Sequence, residues 1–510
     1  MWQKIKAAGK KALEKAEQQP GVFSSKESLT ELMKRKLGIT QLILVSNREP
    51  YVHIYQENEI KAMHYASGLS IALDSIAQAC DTLWIAHGSG EADWEVVNQE
   101  NKVEIPSASS SYVLKRIRLS KSEEHGYYHG FSNEVMWPLC HVCYVRPKFN
   151  QKNWEIYQNV NRKFAEAVLE EIKSGETLIF IQDYHLALCA KYLKEIRPEL
   201  ITILFWHIPW PNPEIFRICP WKTDILEGLL SNDIIGFHLR YHADNFLKTV
   251  ALEMEAKIDS EKWSVQRGES KSLVRSYPIS VDFDKISSAA DTLETSSLIQ
   301  RIKKHYMIEN QLIGLGVDRI DYAKGIPERL KALDYFFENN PEYLGRLVFI
   351  QIGVPSRLHL EDYQQTQNQI EAEIKRINWK YAQGRWCPLI FINENKNFQE
   401  ITAFYKMADF CIVSSLHDGM NLVAKEYIAA QTALKGVLIL SQFTGSAREL
   451  ESALLINPYH IEDFAQTIKK AIALPLEEKI KNMERMRKIV QENNIYLWAE
   501  KIISDLALLT

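Results

Sequence analysis

Apolar residues along this chain fall into two recurring textures. Short, nearly continuous apolar runs occupy residues 42–46, 177–182, 201–206 and 233–237, then 312–317, 346–352, 388–392, 410–414 and 437–440. Runs this short, rich in Ile, Leu and Val and without alternation, predict strands buried on both faces. Between them lie longer amphipathic stretches at 157–173, 327–339, 363–381 and 422–431, which predict helices. Strands alternating with helices in this way specify parallel sheets covered on both sides, an α/β architecture. At 510 residues the chain is too long for one ordinary core, so two domains are expected. Their boundary is placed near 276–284, where Tyr277-Pro278-Ile279-Ser280-Val281-Asp282 reads as an extended connector.

The first 38 residues have a different texture and read as an appendage. Trp2, Ile5, Ala8 and Leu13 follow a loose helical period among lysines, and Pro20-Gly21 ends it. A surface helix or frayed tail is preferred to a membrane-surface anchor. The same stretch is charged throughout, so no signal peptide is expected. No run approaches the roughly eighteen apolar residues needed to span a bilayer. The net charge of −4 implies no broad nucleic-acid or membrane field. Seven scattered cysteines, an odd number, suggest reduced core thiols in a cytoplasmic protein. Cys140 and Cys143 form a C-x-x-C without a second ligand pair, which reads as structural rather than zinc-binding.

The polar residues of interest follow directly on the apolar runs. Arg48, Asp183, His207, Arg319 with Lys324, Arg357 and Asp418 each come just after one. Ligands of open α/β sheets bind at the carboxyl ends of the strands, so one placement rule collects candidates from both halves and points to a cleft between two sheets. In Asp318-Arg319-Ile320-Asp321-Tyr322-Ala323-Lys324-Gly325, an Arg and a Lys five apart can converge on one anion and suit a diphosphate leaving group. In the Asp418-Gly419-Met420-Asn421-Leu422-Val423-Ala424-Lys425-Glu426 segment a strand ends and a helix opens, leaving backbone N–H groups for an anion. Asp418 can accept from sugar hydroxyls and Glu426 from a ribose; an N-cap and a solvated helix residue are the plain alternatives. Arg48 and Arg357 can clamp a second anion. Tyr128 and Trp137 offer flat faces to a sugar ring. There is no Walker A motif, and the lone Gly88-Ser89-Gly90 is a weak dinucleotide signal.

Taken together, these motifs resemble the trehalose-6-phosphate synthases of glycosyltransferase family 20 over roughly residues 40–505. The resemblance rests on Val45-Ser46-Asn47-Arg48, Phe131-Ser132-Asn133 with Trp137-Pro138, Asp183-Tyr184-His185-Leu186 and His207-Ile208-Pro209-Trp210-Pro211. The second half adds the Asp318–Gly325 stretch, Pro355-Ser356-Arg357, and Asp418 through Tyr427. It implies a GT-B fold: an extension at 1–38, an acceptor-side Rossmann-like domain at 39–277, a nucleotide-sugar domain at 278–485, and a helix in 486–510 returning to the first domain.

The resemblance further implies donor contacts by Gly68, His207, Arg319, Lys324, Asp418, Met420, Asn421, Leu422, Val423 and Glu426. Acceptor contacts would come from Arg48, Tyr128, Trp137 and Arg357, with Asp183 near the reacting centre. Asp183, His207, Arg319 and Lys324 are the expected catalytic set. The implied reaction is retaining transfer of glucose from UDP-glucose to glucose 6-phosphate, with no metal and no cofactor. A nucleotide-sugar and a phosphorylated sugar are the expected partners; nucleic acid and membrane insertion are not expected, and a homo-oligomer is left open. Two departures bear on the acceptor: Ser67-Gly68 stands where the family carries Gly-Gly, and His87 takes the place of a usual Trp. A glucosylglycerol-phosphate synthase is therefore the nearest alternative, and a non-catalytic sugar-phosphate-sensing subunit the alternative of another class.

Overall fold

The computed structural model describes residues 24–32, 41–57, 59–64, 68–80, 82–105, 112–172 and 177–506. The chain forms two compact units: one runs to Ile279 and takes back the segment from Ile495, and the other is Ser280–Asn494. Ser67 and residues 1–23 of the N-terminal extension lie outside the described residues.

The first unit holds β1 (Gln41–Arg48), the hairpin strands β2 (Tyr51–Gln56) and β3 (Glu59–His64), β4 (Thr82–His87), β5 (Lys102–Ile105), β6 (Tyr112–Ile117), β7 (Thr177–Gln182), β8 (Ile201–Trp206), β9 (Ile234–Phe237), β10 (Lys257–Asp259), β11 (Ser264–Arg267) and β12 (Ser270–Ser276). Its main sheet has the order β10-β11-β12-β9-β8-β7-β1-β4-β6-β5. From β12 to β6 every pair is parallel. All six residues of β7 are buried, which is why this strand reads as an unbroken apolar run. β1 lies between β4 and β7, with Val45 opposite both Ile85 and Ile181. Read outward from β1, the chain goes to β4 and β6 on one side and to β7, β8 and β9 on the other. The direction of winding reverses at the gap between β1 and β7, the switch point of a Rossmann sheet.

The second unit holds β13 (Leu312–Arg319), β14 (Leu347–Val354), β15 (Leu389–Ile392), β16 (Phe410–Val413), β17 (Val437–Ser441) and β18 (Leu454–Ile456). Their order is β15-β14-β13-β16-β17-β18, all parallel. Here the winding reverses between β13 and β16. Side chains alternate between two cores: Ile313, Leu315, Val348 and Ile350 pack on one face, and Leu347, Phe349, Ile412 and Ile439 on the other. Two covered faces account for the lack of alternation in the sequence.

The α/β class and the runs that predict strands stand, and β7 and β8 match their runs residue for residue. Four adjustments have local causes. The helix expected at 157–173 is Gln151–Leu169, because the Asn150 side chain caps it, accepting from the Asn153 N–H at 3.1 Å. β6 was not anticipated, because its Lys115 and Arg116 are charged; both are buried. The appendage is not loose where it is described: helix Lys26–Glu31 buries Leu29 completely, and Ser24 Oγ donates to Glu500 Oε2 at 2.7 Å. The second unit extends through helix Leu476–Glu492 to Asn494, so the returning segment begins at Ile495 rather than 486. Its helix, Ile495–Leu506, fixes itself on the first unit through Trp498, whose Nε1 donates to the Tyr277 carbonyl at 3.1 Å and whose ring meets Phe205 at 5.0 Å.

Candidate active site

In the first unit, three expected residues, Arg48, Asp183 and His207, stand at the C-terminal ends of β1, β7 and β8. A shift of register between Ser46 and Arg48 brings Arg48 opposite His87 of β4; such a bulge re-aims the side chain at a strand end. Ser46 Oγ accepts from Trp84 Nε1 at 2.8 Å and donates to the Arg48 carbonyl at 2.7 Å, fixing the backbone there. The Arg48 guanidinium donates to the Tyr128 hydroxyl and lies 5.1 Å from that ring's centroid. Tyr128 stacks on His185 at 5.6 Å. It sits on His125–Met136, a segment wound with i→i+5 hydrogen bonds, a rare form that favours functional sites. Close packing on helix Gln151–Leu169 holds that segment: a Cβ at Gly130 would lie 2.2 Å from Asn153 Nδ2. Trp137 follows directly and stacks on His141 at 3.9 Å.

Asp183 has φ 73° and ψ 170°, a region that is essentially the preserve of glycine and costs of order 1–3 kcal/mol. The surroundings hold it there. Its N–H donates to the Phe205 carbonyl at 2.7 Å, and its Oδ1 accepts from the N–H groups of Tyr184 (2.9 Å) and His207 (3.1 Å). One carboxylate therefore ties the end of β7 to the end of β8. His207 Nε2 bonds Gln182 Oε1 at 2.9 Å. Burial, with His238 and His185 nearby, holds His207 well below the usual histidine range, so its imidazole is neutral. Gly68 begins helix Gly68–Ala79.

In the second unit, the loops after β13 and β16 meet across the switch point. Lys324 Nζ donates to Asp418 Oδ2 at 2.6 Å. The same oxygen receives Ser415 Oγ and Asn421 Nδ2, each at 3.1 Å. Asn421, at φ 80°, caps helix Leu422–Ala430, accepting from the Ala424 N–H at 3.2 Å. The turn before helix Ile326–Asn339 needs Gly325 at φ 62°, and a Cβ there would lie 2.2 Å from the Ser414 carbonyl oxygen. Two helix N-termini thus open at adjacent strands, an arrangement suited to anions. Met420 is buried, and Leu422 and Val423 are half-buried in the first turn. Glu426 accepts from the Tyr405 hydroxyl at 2.8 Å, and burial pushes its carboxyl up.

Two expectations gain detail. Lys324, expected beside Arg319 on a single anion, is also paired to Asp418, because the β13 and β16 loops adjoin. The charge of Arg319 also acts on the Tyr363 hydroxyl. Arg357, expected to clamp an anion with Arg48, is turned inward at φ 53°: its Nη1 bonds the Tyr363 hydroxyl at 2.5 Å and lies 3.5 Å from Asp321 Oδ2. Other residues escaped the sequence reading. Arg329 is fully buried and donates to Asp318 (2.7 Å), Gln351 (2.6 Å) and Ser414 (3.0 Å). Gly316 makes room for it, since a Cβ there would lie 2.2 Å from Arg329 Nη1. His185, Gln182, Tyr405 and Tyr363 were also missed, and adjacency to Asp183 was the one available signal for the first two. Cys140 and Cys143 form no disulfide, and among the described residues no metal-binding cluster forms around them.

Two sheets of Rossmann strand order, each with polar candidates at its switch point, define the GT-B class of glycosyltransferase architecture. The chain belongs to glycosyltransferase family 20, which is matched over residues 40–508. It is 34% identical over 476 residues to an alpha,alpha-trehalose-phosphate synthase [UDP-forming] of Pichia angusta, covering 91% of this chain and 98% of that one. A trehalose-6-phosphate synthase of Mycolicibacterium vanbaalenii is also 34% identical, covering 92% and 96%. Among solved structures, an E. coli protein bound with UDP-2-fluoro glucose superposes with a TM-score of 0.81 at 32% identity, covering 92% of this chain and 99% of that one. An alpha,alpha-trehalose-phosphate synthase (UDP-forming) of Burkholderia xenovorans in complex with glucose-6-phosphate gives 0.82 at 28% identity, covering 91% and 99%.

Proposed function

We propose that this enzyme transfers glucose from UDP-glucose to glucose 6-phosphate, giving α,α-trehalose 6-phosphate and UDP. The observation that carries this reading is the second unit's switch point, where Lys324, Asp418 and the N-terminus of helix Leu422–Ala430 converge. The relatives' named activity and the ligands of the solved structures support it.

In this mechanism Arg319, Lys324 and the helix N-terminus stabilise the departing diphosphate by fixed positive charge and dipole. Asp418 accepts from glucose hydroxyls, and Glu426 from the ribose. Gly68, His207, Met420, Asn421, Leu422 and Val423 line the donor. Arg48, Tyr128 and Trp137 hold the acceptor, with Asp183 at the reacting centre. Arg357 joins them only on leaving Tyr363 and Asp321. The glucose C1–O bond to the β-phosphate breaks, and the acceptor's anomeric oxygen bonds C1 from the same face. The acceptor's proton passes to the departing phosphate oxygen, so configuration is kept without a carboxylate nucleophile. Arg319 and Lys324 supply the charge that a divalent cation provides elsewhere. Seven cysteines held as thiols rather than disulfides fit work in a reducing cytoplasm.

The test is a matrix of nucleotide-glucose donors against phosphorylated acceptors, on purified protein with and without chelator. UDP release from UDP-glucose with glucose 6-phosphate, unaffected by chelator, is expected. Release with glycerol 3-phosphate alone would establish the glucosylglycerol-phosphate alternative, and no release at all would favour a sensing subunit.

A further inference from the structure

Directly after Arg48, the chain buries an acidic residue. Glu49 is fully buried, as are Arg116 of β6 and Asp93. Arg116 Nε donates to Glu49 Oε2 at 2.7 Å, and its Nη2 reaches Asp93 Oδ1 at 2.9 Å. Nη2 also bonds His53 Nδ1 of β2 at 2.7 Å, and Nη1 bonds the Asp93 carbonyl at 2.7 Å. The carboxylates reach out in turn to the backbone. Glu49 Oε1 accepts from the Ser89 N–H at 3.0 Å; Asp93 accepts from the N–H groups of His53 (2.7 Å) and Gly90 (2.5 Å). The Gly88-Ser89-Gly90 loop after His87 thus belongs to this cluster. Its glycines are needed there: a Cβ at Gly90 would lie 2.7 Å from Asp93 Oδ1.

The proton count of this cluster follows from its geometry. A guanidinium only donates, so His53 Nδ1 accepts from Arg116 Nη2, and it lies 3.4 Å from Asp93 Oδ1. One guanidinium, Arg116, faces two carboxyl groups out of water. Two carboxylates in contact cannot both be ionised cheaply, so the pair holds a proton. Asp93, with several N–H donors, is the ionised member: against the cost of burial, the His53 backbone N–H, Glu49 and Arg116 hold its carboxyl well below the usual range. Glu49 carries the proton: burial and the hydrogen bond to Asp93 push it up to about 8 against the pull of Arg116.

We propose that Glu49 is a positioning residue for Arg48: while the Glu49–Asp93 pair keeps its proton, the cluster holds Arg48 and the 88–90 loop ready for the acceptor's phosphate, and loss of that proton weakens acceptor binding. Ionised Glu49 places an unbalanced negative charge one residue from Arg48. That charge competes with the phosphate for the guanidinium and repels the phosphate itself. The inference rests on the reading of Arg48 as an acceptor-binding residue, and it makes acceptor affinity, not donor affinity, sensitive to alkaline pH.

The test is the KM of each substrate from pH 7 to pH 9, where the second ionisation of a phosphate monoester, near about 6, is complete. The wild-type acceptor KM is expected to rise about fivefold by pH 9, the part of a tenfold limit that one pKa unit of coupling reaches there, with the donor KM flat. Glu49→Gln fixes the site in its protonated form and is expected to hold the acceptor KM level across the range. If that variant does not fold, Asp93→Asn removes the other carboxylate and must flatten the profile likewise. A flat wild-type profile, or a variant that rises in parallel with wild type, would overturn the proposal. Arg48→Ala separates the two layers. An unchanged acceptor KM in that variant defeats the Arg48 reading itself, whereas a raised one beside a flat wild-type profile defeats only the role of Glu49.

Discussion

The two units solve one problem in different ways. Each has a Rossmann strand order, and each buries an arginine completely: Arg116 on β6 in the first and Arg329 in the second. Arg329 meets one carboxylate, Asp318, and the neutral acceptors Gln351 and Ser414. Arg116 meets two carboxyl groups, Glu49 and Asp93. In the second unit a single charge pair braces the strand beneath the proposed diphosphate site. In the first, the surplus carboxyl must keep a proton, so the support under Arg48 depends on pH. The first unit also stores backbone strain at Asp183, whereas the second pairs its cation in advance, Lys324 with Asp418. The lesson is that equal folds fix where a ligand sits, while the balance of buried charge decides how conditionally it is held.

The sharpest way to break this comparison is at its buried charges. Arg329→Ala leaves Asp318, whose carboxyl burial already pushes up, without its partner; a loss of about 3–5 kcal/mol of stability is expected. Denaturant unfolding reads it, and a loss below about 1 kcal/mol would show that the brace is dispensable. Next in size is Lys324→Ala, expected to lower kcat roughly 10²–10³-fold by removing charge stabilisation from the leaving group. Steady-state kinetics check it, and near-normal turnover would remove Lys324 from the mechanism. Arg48→Ala acts on the other unit: its acceptor KM is expected to rise about 10–100-fold, the worth of a charged hydrogen bond, with the donor KM little changed. The smallest effect is at Glu426. Its carboxyl is raised by burial, so its ability to accept from a ribose is lost as pH falls through that raised value, and donor KM rises toward acid. Glu426→Gln should weaken donor binding about fivefold to tenfold and abolish the acid-side dependence.

Much of this was legible in the sequence, for physical reasons that vary from place to place. The strands β7 and β8 carry no charged residue, so hydropathy alone marks them. β6 carries Lys115 and Arg116, whose partners Glu171 and Glu49 are distant in sequence; no local pattern reveals that these cations are buried. The rule placing ligands at strand ends singled out Arg48, Asp183, His207, Arg319, Lys324 and Asp418, and each does stand at or just past a strand end, because the rule follows from sheet topology. It gave no orientation. That Lys324 reaches Asp418, and that Arg357 turns toward Tyr363, depend on loops that meet only in three dimensions. Arg329 lies on an amphipathic helix, where an arginine ordinarily faces water, and only the space left at Gly316 draws it inward. Gly88-Ser89-Gly90, a weak nucleotide signal, turns out to serve the buried charges of the first unit.

The central claim is a transfer of glucose that keeps its configuration and joins two anomeric carbons. It is tested most directly by NMR of the product formed from UDP-glucose and glucose 6-phosphate by the purified enzyme. The account predicts one phosphorylated disaccharide with both anomeric protons in the α configuration and the phosphate on a C6 oxygen. A β-linked product, or turnover that yields only free glucose and UDP, would contradict it.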